Sequence, residues 1–429
     1  MKAKNLFKTI LVVSLAALCS CGPEPVVDSN EYAVLQTKSP KRGVAFSFQL
    51  ESDYALLAPA TSWCYNWGFK GQSNNFCDAY GMEYCPMAWN GIPDNATTVL
   101  KNHPEWKVLL GYNEPNLTDQ ANMTPDQAAA ADKWPKVVAA AKAANKKLIS
   151  PAMNWGSLSG WSDGVKWLQS FFGKSNVDIN DVDGIAVHIY MGSSSAALGD
   201  LDRYKVFNKP LWLTEFCNWD AGSEVAQIKF MAEMFNAMEQ DPQVERYAWF
   251  TPRSSKFSVK GMALLTSGRP FELTNSGKVF VNMSSFDQNI AYPLGKRIPA
   301  EHYRACSVKS NGGPVHVNNT TDEDGVLELY QFTQSKWVDY KIDFDGQKDV
   351  VFQIRYAAAS GASFELNLVN EDGTETPLVD EFSVDATGKA DVWSTASITV
   401  GQVPSKEKVV RLRSKGGIPY VNWIKFTKN

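Results

Sequence analysis

Short apolar runs that alternate with stretches of helical periodicity occupy residues 41–285, and they constrain the fold more than any other feature of the chain. This alternation is typical of parallel βα units, whose strands are covered by helices. A barrel of eight such units usually has about 250 residues, close to the length of this region. The sequence therefore predicts an α/β fold, a (β/α)8 TIM barrel. Its strands are expected at residues 43–48, 62–67, 83–88, 107–112, 147–152, 184–190, 211–216 and 246–251.

Helical patterns fall between most of these runs. Thr124-Pro125-Asp126 has the form of an N-cap followed by proline at the first helical position, and an Ala-rich run extends from it to Ala144. Residues 165–172 and 224–238 also repeat apolar side chains at helical spacing. We therefore expect helices at all three places.

The fourth and seventh predicted strands each end at a glutamate. The run opened by Val108 stops at Asn113-Glu114-Pro115, and the run from Leu211 leads to Glu215. In a barrel, the carboxyl ends of the strands form the active site. A retaining glycosidase needs two carboxylates about 5–5.5 Å apart at such a site. Taken alone, Glu114 could equally be a solvated residue in a turn; a second glutamate in the same position favours a catalytic pair.

The residues around both glutamates resemble glycoside hydrolase family 128. The similarity rests on Gly-Tyr-Asn-Glu-Pro-Asn at 111–116, on residues 120–125, on Trp134-Pro135 and on Thr214-Glu215-Phe216. Members of that family are (β/α)8 barrels that act on β-1,3-glucan. They belong to a clan that carries the acid/base on strand 4 and the nucleophile on strand 7.

This resemblance implies roles for particular residues. Glu114 would be the general acid/base, Glu215 the nucleophile of a double displacement, and Asn113 the side chain that holds the sugar 2-hydroxyl. The β-1,3 linkage and an endo preference rest on the resemblance alone. No cofactor is expected, and the four histidines lack the spacing of a metal site.

Two side chains of the sixth predicted strand, His188 and Tyr190, face the same way by alternation, and we expect both to point into the barrel mouth. Tyr190 could donate to Glu215 and keep it ionised. A single histidine on an apolar strand is more often a core residue.

At the end of the eighth strand, Trp249 matches the position where clan members place a hydrophobic platform under the sugar.

Further tryptophans at or just beyond strand ends are candidate sugar platforms, with packing in the core as the alternative for each. They are Trp67, Trp89, Trp155 and Trp219. Together they favour a long polysaccharide over a small aryl glycoside.

Beyond a linker at residues 286–298, the pattern changes to short alternating strands separated by turn residues. This predicts an all-β jelly-roll or sandwich domain over residues 299–429. The segments Ala300-Glu301-His302-Tyr303 and Asn422-Trp423-Ile424-Lys425-Phe426 resemble the opening and closing segments of carbohydrate-binding module family 6.

The second resemblance implies a glycan site that contains Asn422, with Tyr330 as its aromatic partner. The chain departs from the family at Ala390, where members tend to have a tryptophan three residues before the one found here as Trp393. A domain that serves only as a spacer therefore remains the alternative.

The amino terminus predicts export. Residues 1–20 combine early lysines with a short apolar core, and Leu18-Cys19-Ser20-Cys21 resembles a bacterial lipobox with Cys21 as the lipidated residue. Residues 21–40 are predicted to be a tether. The expected location is the outer membrane or cell surface of a Gram-negative bacterium, with the membrane contacted only through the lipid; an ordinary secretory peptide is the alternative.

Composition agrees with an exported carbohydrate enzyme, and a monomer is expected. The net charge of −4 provides no basic field for nucleic acid, and 14 tryptophans are available for cores and sugar platforms. Cys77 and Cys85 could form a disulfide, or all the thiols after Cys21 could be buried and free. The function predicted is a retaining β-1,3-glucanase. A β-glycanase of the same clan with another linkage specificity, or a non-catalytic surface glycan-binding protein, are the alternatives.

Overall fold

The computed structural model describes residues 31–33, 36–72 and 76–429. The predicted signal peptide, Cys21 and residues 21–30 of the predicted tether lie outside this part. The described residues form a mixed α/β domain followed by a β-rich domain.

The strands of the first domain run parallel. Within the described residues, a six-stranded sheet has the order β3-β2-β1-β8-β7-β6, and β4 pairs with β5. Parallel bridges join Met87 to Leu110, Ile149 to Gly184, and Met153 to Val187. The bridges thus connect β4 and β5 to the two ends of the larger sheet. The bounds are β1 Arg42–Ala45, β2 Trp63–Tyr65, β3 Glu83–Tyr84, β4 Val108–Leu109, β5 Lys147–Leu148, β6 Ile185–Ile189, β7 Leu211–Phe216 and β8 Val244–Trp249.

The helices fall between the strands, as predicted, with one difference. The Ala-rich run is two helices, because Lys133 leaves the helical conformation and Pro135 stands at the start of the next helix. Thr124 caps the first of them with a reciprocal capping box to Gln127. The bounds are α1 Glu51–Leu57, α2 Ala96–Asn102, α3 Pro125–Ala128, α4 Trp134–Ala143, α5 Gly164–Phe172, α6 Ser194–Arg203, α7 Glu224–Gln240 and α8 Asn275–Asn282.

Large aromatic side chains fill one face of the parallel sheet. Trp63 of β2 and Trp212 of β7 meet with ring centroids 5.4 Å apart, and the Arg246 guanidinium lies over Trp212. Gly43 makes room for Trp63, since a Cβ there would come within 2.5 Å of the indole. This packing holds β2, β7 and β8 together. Strands β2 and β7 carry residues of the site described below, and Phe250 of that site directly follows β8.

The second domain consists of two sheets. Within the described residues, one has the order β12-β13-β20-β15-β18 with β10 beside β20, and the other β11-β14-β19-β16-β17 with β9 beside β14. The bounds are β9 Tyr292–Pro293, β10 Arg297–Pro299, β11 Ala305–Cys306, β12 Val317–Asn319, β13 Leu327–Leu329, β14 Trp337–Asp343, β15 Asp349–Ala357, β16 Ala362–Val369, β17 Glu375–Val384, β18 Ser394–Gly401, β19 Lys408–Gly417 and β20 Tyr420–Lys428.

Helix α7 of the first domain packs directly on the second. Buried Asn236 donates to the Val315 carbonyl at 2.9 Å and accepts from the Tyr303 hydroxyl at 2.7 Å. Nearby, the Nε2 atom of His316 lies 2.6 Å from the Glu233 carboxylate. The two domains therefore share a buried, hydrogen-bonded contact surface.

The chain on either side of the first domain contributes to the second. In the predicted tether, the Ala33 amide donates to the Arg297 carbonyl at 2.8 Å, and the Gln36 side chain donates to the His302 carbonyl at 2.9 Å. The predicted linker at 286–298 contains β9 and most of β10. In the part of the chain that is described, we find no helix with the length and apolar character needed to cross a membrane.

Candidate active site

Both predicted catalytic glutamates lie at the carboxyl ends of their strands and are buried. Glu114 follows β4 and has a left-handed backbone with φ of +46°, which is uncommon for a residue other than glycine. Its amide donates to the Ala152 carbonyl at 3.0 Å. Glu215 lies in β7, whose register with β6 places His188 beside it. The sheet itself therefore brings the histidine next to the second carboxylate.

Glu215 accepts hydrogen bonds from neutral donors on both carboxylate oxygens. The Tyr65 hydroxyl and the Trp67 indole N–H donate to Oε1 at 2.8 and 2.7 Å, and the Tyr190 hydroxyl donates to Oε2. Such bonds favour the charged form of a carboxylate. They also fix the plane of the carboxylate, as a nucleophile requires.

Glu114 has different partners. Its Oε1 atom lies 2.8 Å from the Nδ1 atom of His188 and accepts from the Asn154 amide at 2.8 Å. His188 Nδ1 is also 3.6 Å from Glu215 Oε2. One carboxylate oxygen of each glutamate and a ring nitrogen of His188 lie within 4.8 Å of one another. The histidine therefore bridges the two carboxylates.

The three groups perturb one another's proton affinity. Burial lowers the pKa of His188, but the charges of Glu215 and Glu114 outweigh burial and raise it overall. Burial raises the pKa of Glu114, yet the hydrogen bond and charge of His188 leave it lowered. The pKa of Glu215 is raised by burial and by Glu114, against the opposing effects of His188, Tyr190 and Trp67. Since His188 and Glu114 share a hydrogen bond, they can hold one proton between them.

A cavity of about 520 Å³ opens above the carboxylates. Aromatic rings and polar groups alternate around it, as is usual for sites that bind sugars through stacking and hydrogen bonds. Its lining is Trp67, Trp89, Asn113, Glu114, Asp119, Gln120, Asn154, Tyr190, Glu215, Trp219, Phe250, Lys256 and Phe257. Asn113 donates to Gln120 at 3.1 Å, while its Oδ1 atom is buried with no partner among the described residues. Asn113 therefore lines the cavity with one polar atom that no described protein group satisfies.

Two of the predicted platforms are not in this cavity. Trp249 is fully buried, and its indole N–H donates to the Met262 carbonyl at 2.8 Å. The platform prediction for Trp249 is therefore wrong: the strand turns so that Trp249 packs on Phe216, and Phe250 lines the cavity. Trp155 is 51% exposed and lies beside Arg203, outside the cavity lining.

The sequence arguments overlooked some residues that contact the glutamates or the cavity. The alternation argument that was used for His188 and Tyr190 would also have found Tyr65. Tyr65 is the last residue of β2 and lies two residues before the predicted platform Trp67, so both side chains are expected on the same side. Asn154 and Phe250 carried no comparable signal. Trp219, which was predicted, lines the cavity, is 38% exposed and has its ring centroid 5.2 Å from that of Tyr190.

In the second domain, Asn422 and Tyr330 do not form the expected open site. Asn422 is only 1% exposed, and its amide donates to Asp322 and to the Asp324 carbonyl at 2.8 and 2.7 Å. Tyr330 packs edge-on against Tyr420. The prediction that Asn422 contacts sugar is therefore wrong. Its side-chain amide is buried and hydrogen-bonded to the loop that contains Asp322 and Asp324.

The cluster of Glu114, His188 and Glu215 could in principle also offer three ligand atoms to a cation. Each of these ligand groups already has protein hydrogen-bond partners, however. Tyr190 and Asn154 donate to carboxylate oxygens that a metal ion would need as ligands. These hydrogen bonds suit carboxylates that transfer protons or attack a substrate better than carboxylates that bind a metal.

Comparison with known families agrees with this geometry. Residues 43–280 match the glycosyl hydrolase catalytic core family, and residues 304–428 match carbohydrate binding module family 6. No curated protein matches the chain.

Similar solved structures are enzymes of glycoside hydrolase family 128. A subgroup II endo-β-1,3-glucanase from Pseudomonas viridiflava is 36% identical, with 57% of this chain and 98% of that chain covered and a TM-score of 0.52. A subgroup II endo-β-1,3-glucanase from Sorangium cellulosum is 32% identical over 56% and 97% of the chains, with a TM-score of 0.49. A curdlan-specific exo-β-1,3-glucanase of subgroup III from Blastomyces gilchristii is 28% identical over 58% and 100%, with a TM-score of 0.45.

The family match spans more than half of the chain and contains both buried glutamates, and the Pseudomonas enzyme is matched over nearly its whole length. The chain therefore belongs to the glycosyl hydrolase catalytic core family and is a glycoside hydrolase of family 128, joined to a carbohydrate-binding module of family 6.

Proposed function

We propose that this protein is a retaining, endo-acting β-1,3-glucanase whose eight parallel strands form a (β/α)8 barrel. The observation that carries the proposal is the buried pair Glu114 and Glu215, with one oxygen of each within 4.8 Å of the other. This separation favours the retaining mechanism, since inverting enzymes need about 6.5–9.5 Å to admit a water. The β-1,3 linkage is supported by the activity of the Pseudomonas viridiflava enzyme.

In the first step, a Glu215 oxygen attacks the anomeric carbon while the bond from that carbon to the leaving oxygen breaks. Tyr65, Trp67 and Tyr190 favour the ionised form of Glu215 against the effect of burial, and they orient it for this attack. Glu114 passes to the leaving oxygen the proton that it shares with His188, so that the departing chain leaves as a neutral alcohol. The product is a glycosyl ester on Glu215.

In the second step, Glu114 removes a proton from a water that attacks the same carbon. The ester bond breaks and Glu215 regains its charge. The proton gained by Glu114 restores the starting state, and His188, hydrogen-bonded to Glu114 at 2.8 Å, shares it. Inversion at each step gives overall retention of the anomeric configuration.

The shape of the cavity supports an internal attack on a long chain. Trp67 and Phe250 line both the catalytic cavity and an adjoining one of about 420 Å³. Sugars on each side of the scissile bond could therefore stack on aromatic faces. A cleft that continues past the reacting sugar suits endo action better than a closed end does.

The test is hydrolysis of a panel of curdlan, laminarin, mixed-linkage glucan, mannan and galactan, with Glu215→Gln as the inactive control. We expect β-1,3-linked substrates to be cleaved first, with a ladder of oligosaccharides at early times and β-anomers appearing first by NMR. Glucose as the sole early product would refute endo action, and α-anomers would refute retention. Preference for mannan or galactan would favour the alternative, a β-glycanase of the same clan with another linkage specificity.

We further propose that the protein is exported and held at the cell surface of a Gram-negative bacterium by lipid on Cys21, with the second domain assisting attachment to glucan. The lipobox-like Leu18–Cys21 supports the first part. The family 6 match supports the second. Metabolic labelling with a tagged fatty acid, compared between wild type and Cys21→Ala, tests the anchor.

A further inference from the structure

Two buried thiols of the first domain lie in contact beside the residues that hold Glu215. The sulfurs of Cys64 and Cys77 are 3.7 Å apart, and both residues are nearly inaccessible to solvent. Cys64 lies in β2, and Cys77 directly precedes a one-turn 3-10 helix at Asp78–Tyr80. A disulfide has an S–S length of about 2.05 Å, so the sulfurs need to approach by only about 1.7 Å.

We propose that Cys64 and Cys77 form a disulfide that closes the loop between β2 and β3. The proposal goes beyond the glycosidase function and does not depend on it. The reaction converts two thiols into one disulfide with loss of two protons and two electrons. A disulfide-class oxidant, such as a thiol–disulfide oxidoreductase of an export compartment, takes up the electrons and is reduced to two thiols.

The two thiols perturb each other's pKa through their contact. A hydrogen bond with the Cys64 sulfur lowers the pKa of Cys77, whereas the same contact and burial raise the pKa of Cys64. The thiolate is the nucleophile in disulfide exchange. Either thiol of the pair can therefore react once it is ionised, and the other then displaces the oxidant from the mixed disulfide.

The neighbouring Cys85 is a poorer partner for Cys77. Its sulfur accepts from the Arg246 guanidinium at 3.5 Å and lies 3.9 Å from the Glu83 carboxylate. The alternative of a Cys77–Cys85 bridge, which sequence spacing left open, would require breaking these contacts. The geometry thus selects one pair.

The position of the pair gives the bond a consequence for the site. Cys64 precedes Tyr65 directly, and Trp67 lies three residues further along the same loop. Both side chains donate to Glu215. A disulfide that closes this loop would restrict the conformations of the segment that carries Tyr65 and Trp67, and would therefore stabilise their positions against thermal unfolding.

Peptide mapping of the full wild-type chain, produced through the oxidising bacterial periplasm, tests the proposal. Free thiols are blocked under denaturing conditions, and the chain is then cut after lysine, arginine and glutamate. This separates Cys64, Cys77 and Cys85 into peptides 52–70, 71–83 and 84–101. We expect 52–70 to be joined to 71–83 until a reductant is added, with Cys85 blocked from the start.

Variants supply matched controls. Cys85→Ser should keep the link, whereas Cys77→Ser should lose it. Reduction should lower the Tm of wild type and of Cys85→Ser but not that of Cys77→Ser. Blocked Cys64 and Cys77 in the unreduced wild-type chain, or a link between 71–83 and 84–101, would overturn the proposal.

Discussion

The indole N–H of Trp67 provides the sharpest test of the proposed role of Glu215 as an ionised nucleophile. It donates to Glu215 at 2.7 Å, and a hydrogen bond to a charged group contributes about 1.5–3 kcal/mol. One pKa unit corresponds to about 1.36 kcal/mol. Trp67→Phe keeps an aromatic ring but removes the donor, so we expect the ionised form of Glu215 to lose about 1.5–3 kcal/mol of stabilisation and its pKa to rise.

The sign of the effect follows from the proposed mechanism. Glu215 must be ionised to attack, so a higher pKa moves the acidic limb of the kcat/KM profile to higher pH. The assay is kcat/KM from pH 3 to 9 on a soluble laminarin oligosaccharide. The control is Trp89→Phe, which alters another aromatic residue of the same cavity. An acidic limb at the same pH in wild type and Trp67→Phe would refute the reasoning.

Three further predictions concern the nucleophile, the platform and the second domain. Glu215→Ala should lose several powers of ten in kcat while retaining oligosaccharide binding, and azide should restore turnover of an activated glycoside. Phe250→Ala should reduce kcat/KM about tenfold or more through lost stacking, whereas Trp249→Phe should lower Tm with little change in kcat/KM; the reverse pattern would contradict the structure. A chain that ends at Ser285 should melt at lower temperature than the full chain, because it exposes Asn236 and its apolar surroundings on α7; equal Tm values would show that the contact adds no stability.

The sequence predicted best what depends on local pattern. Each predicted strand has an observed counterpart, because buried parallel strands are short apolar runs with recognisable ends. The glutamates could be located for the same reason, since Glu114 and Glu215 each end such a run. Alternation also placed Tyr190 correctly beside Glu215: Tyr190 directly follows β6, and its hydroxyl donates to the Glu215 carboxylate.

The predictions for Trp249 and Asn422 failed for two different reasons. The first depends on the register of a single residue, and the second on a hydrogen-bond partner far away in the sequence. Trp249 and Phe250 are neighbours at the end of a strand, where one residue decides which side chain enters the cavity. Asn422 lies on the last strand, and the loop that occupies its amide is about a hundred residues earlier in the chain. No local pattern reports a partner at that distance.

The charge of Glu215 connects the geometry of the cluster with the two steps of the proposed mechanism. While Glu215 is ionised, it raises the pKa of His188, and so favours a proton on the pair formed by His188 and Glu114. When the glycosyl ester forms, that charge disappears and the electrostatic reason for holding the proton weakens. The pair is thus a proton donor before the ester forms and an ionised base once it exists. A histidine 2.8 Å from one carboxylate and 3.6 Å from the other lies close enough to couple these two proposed roles.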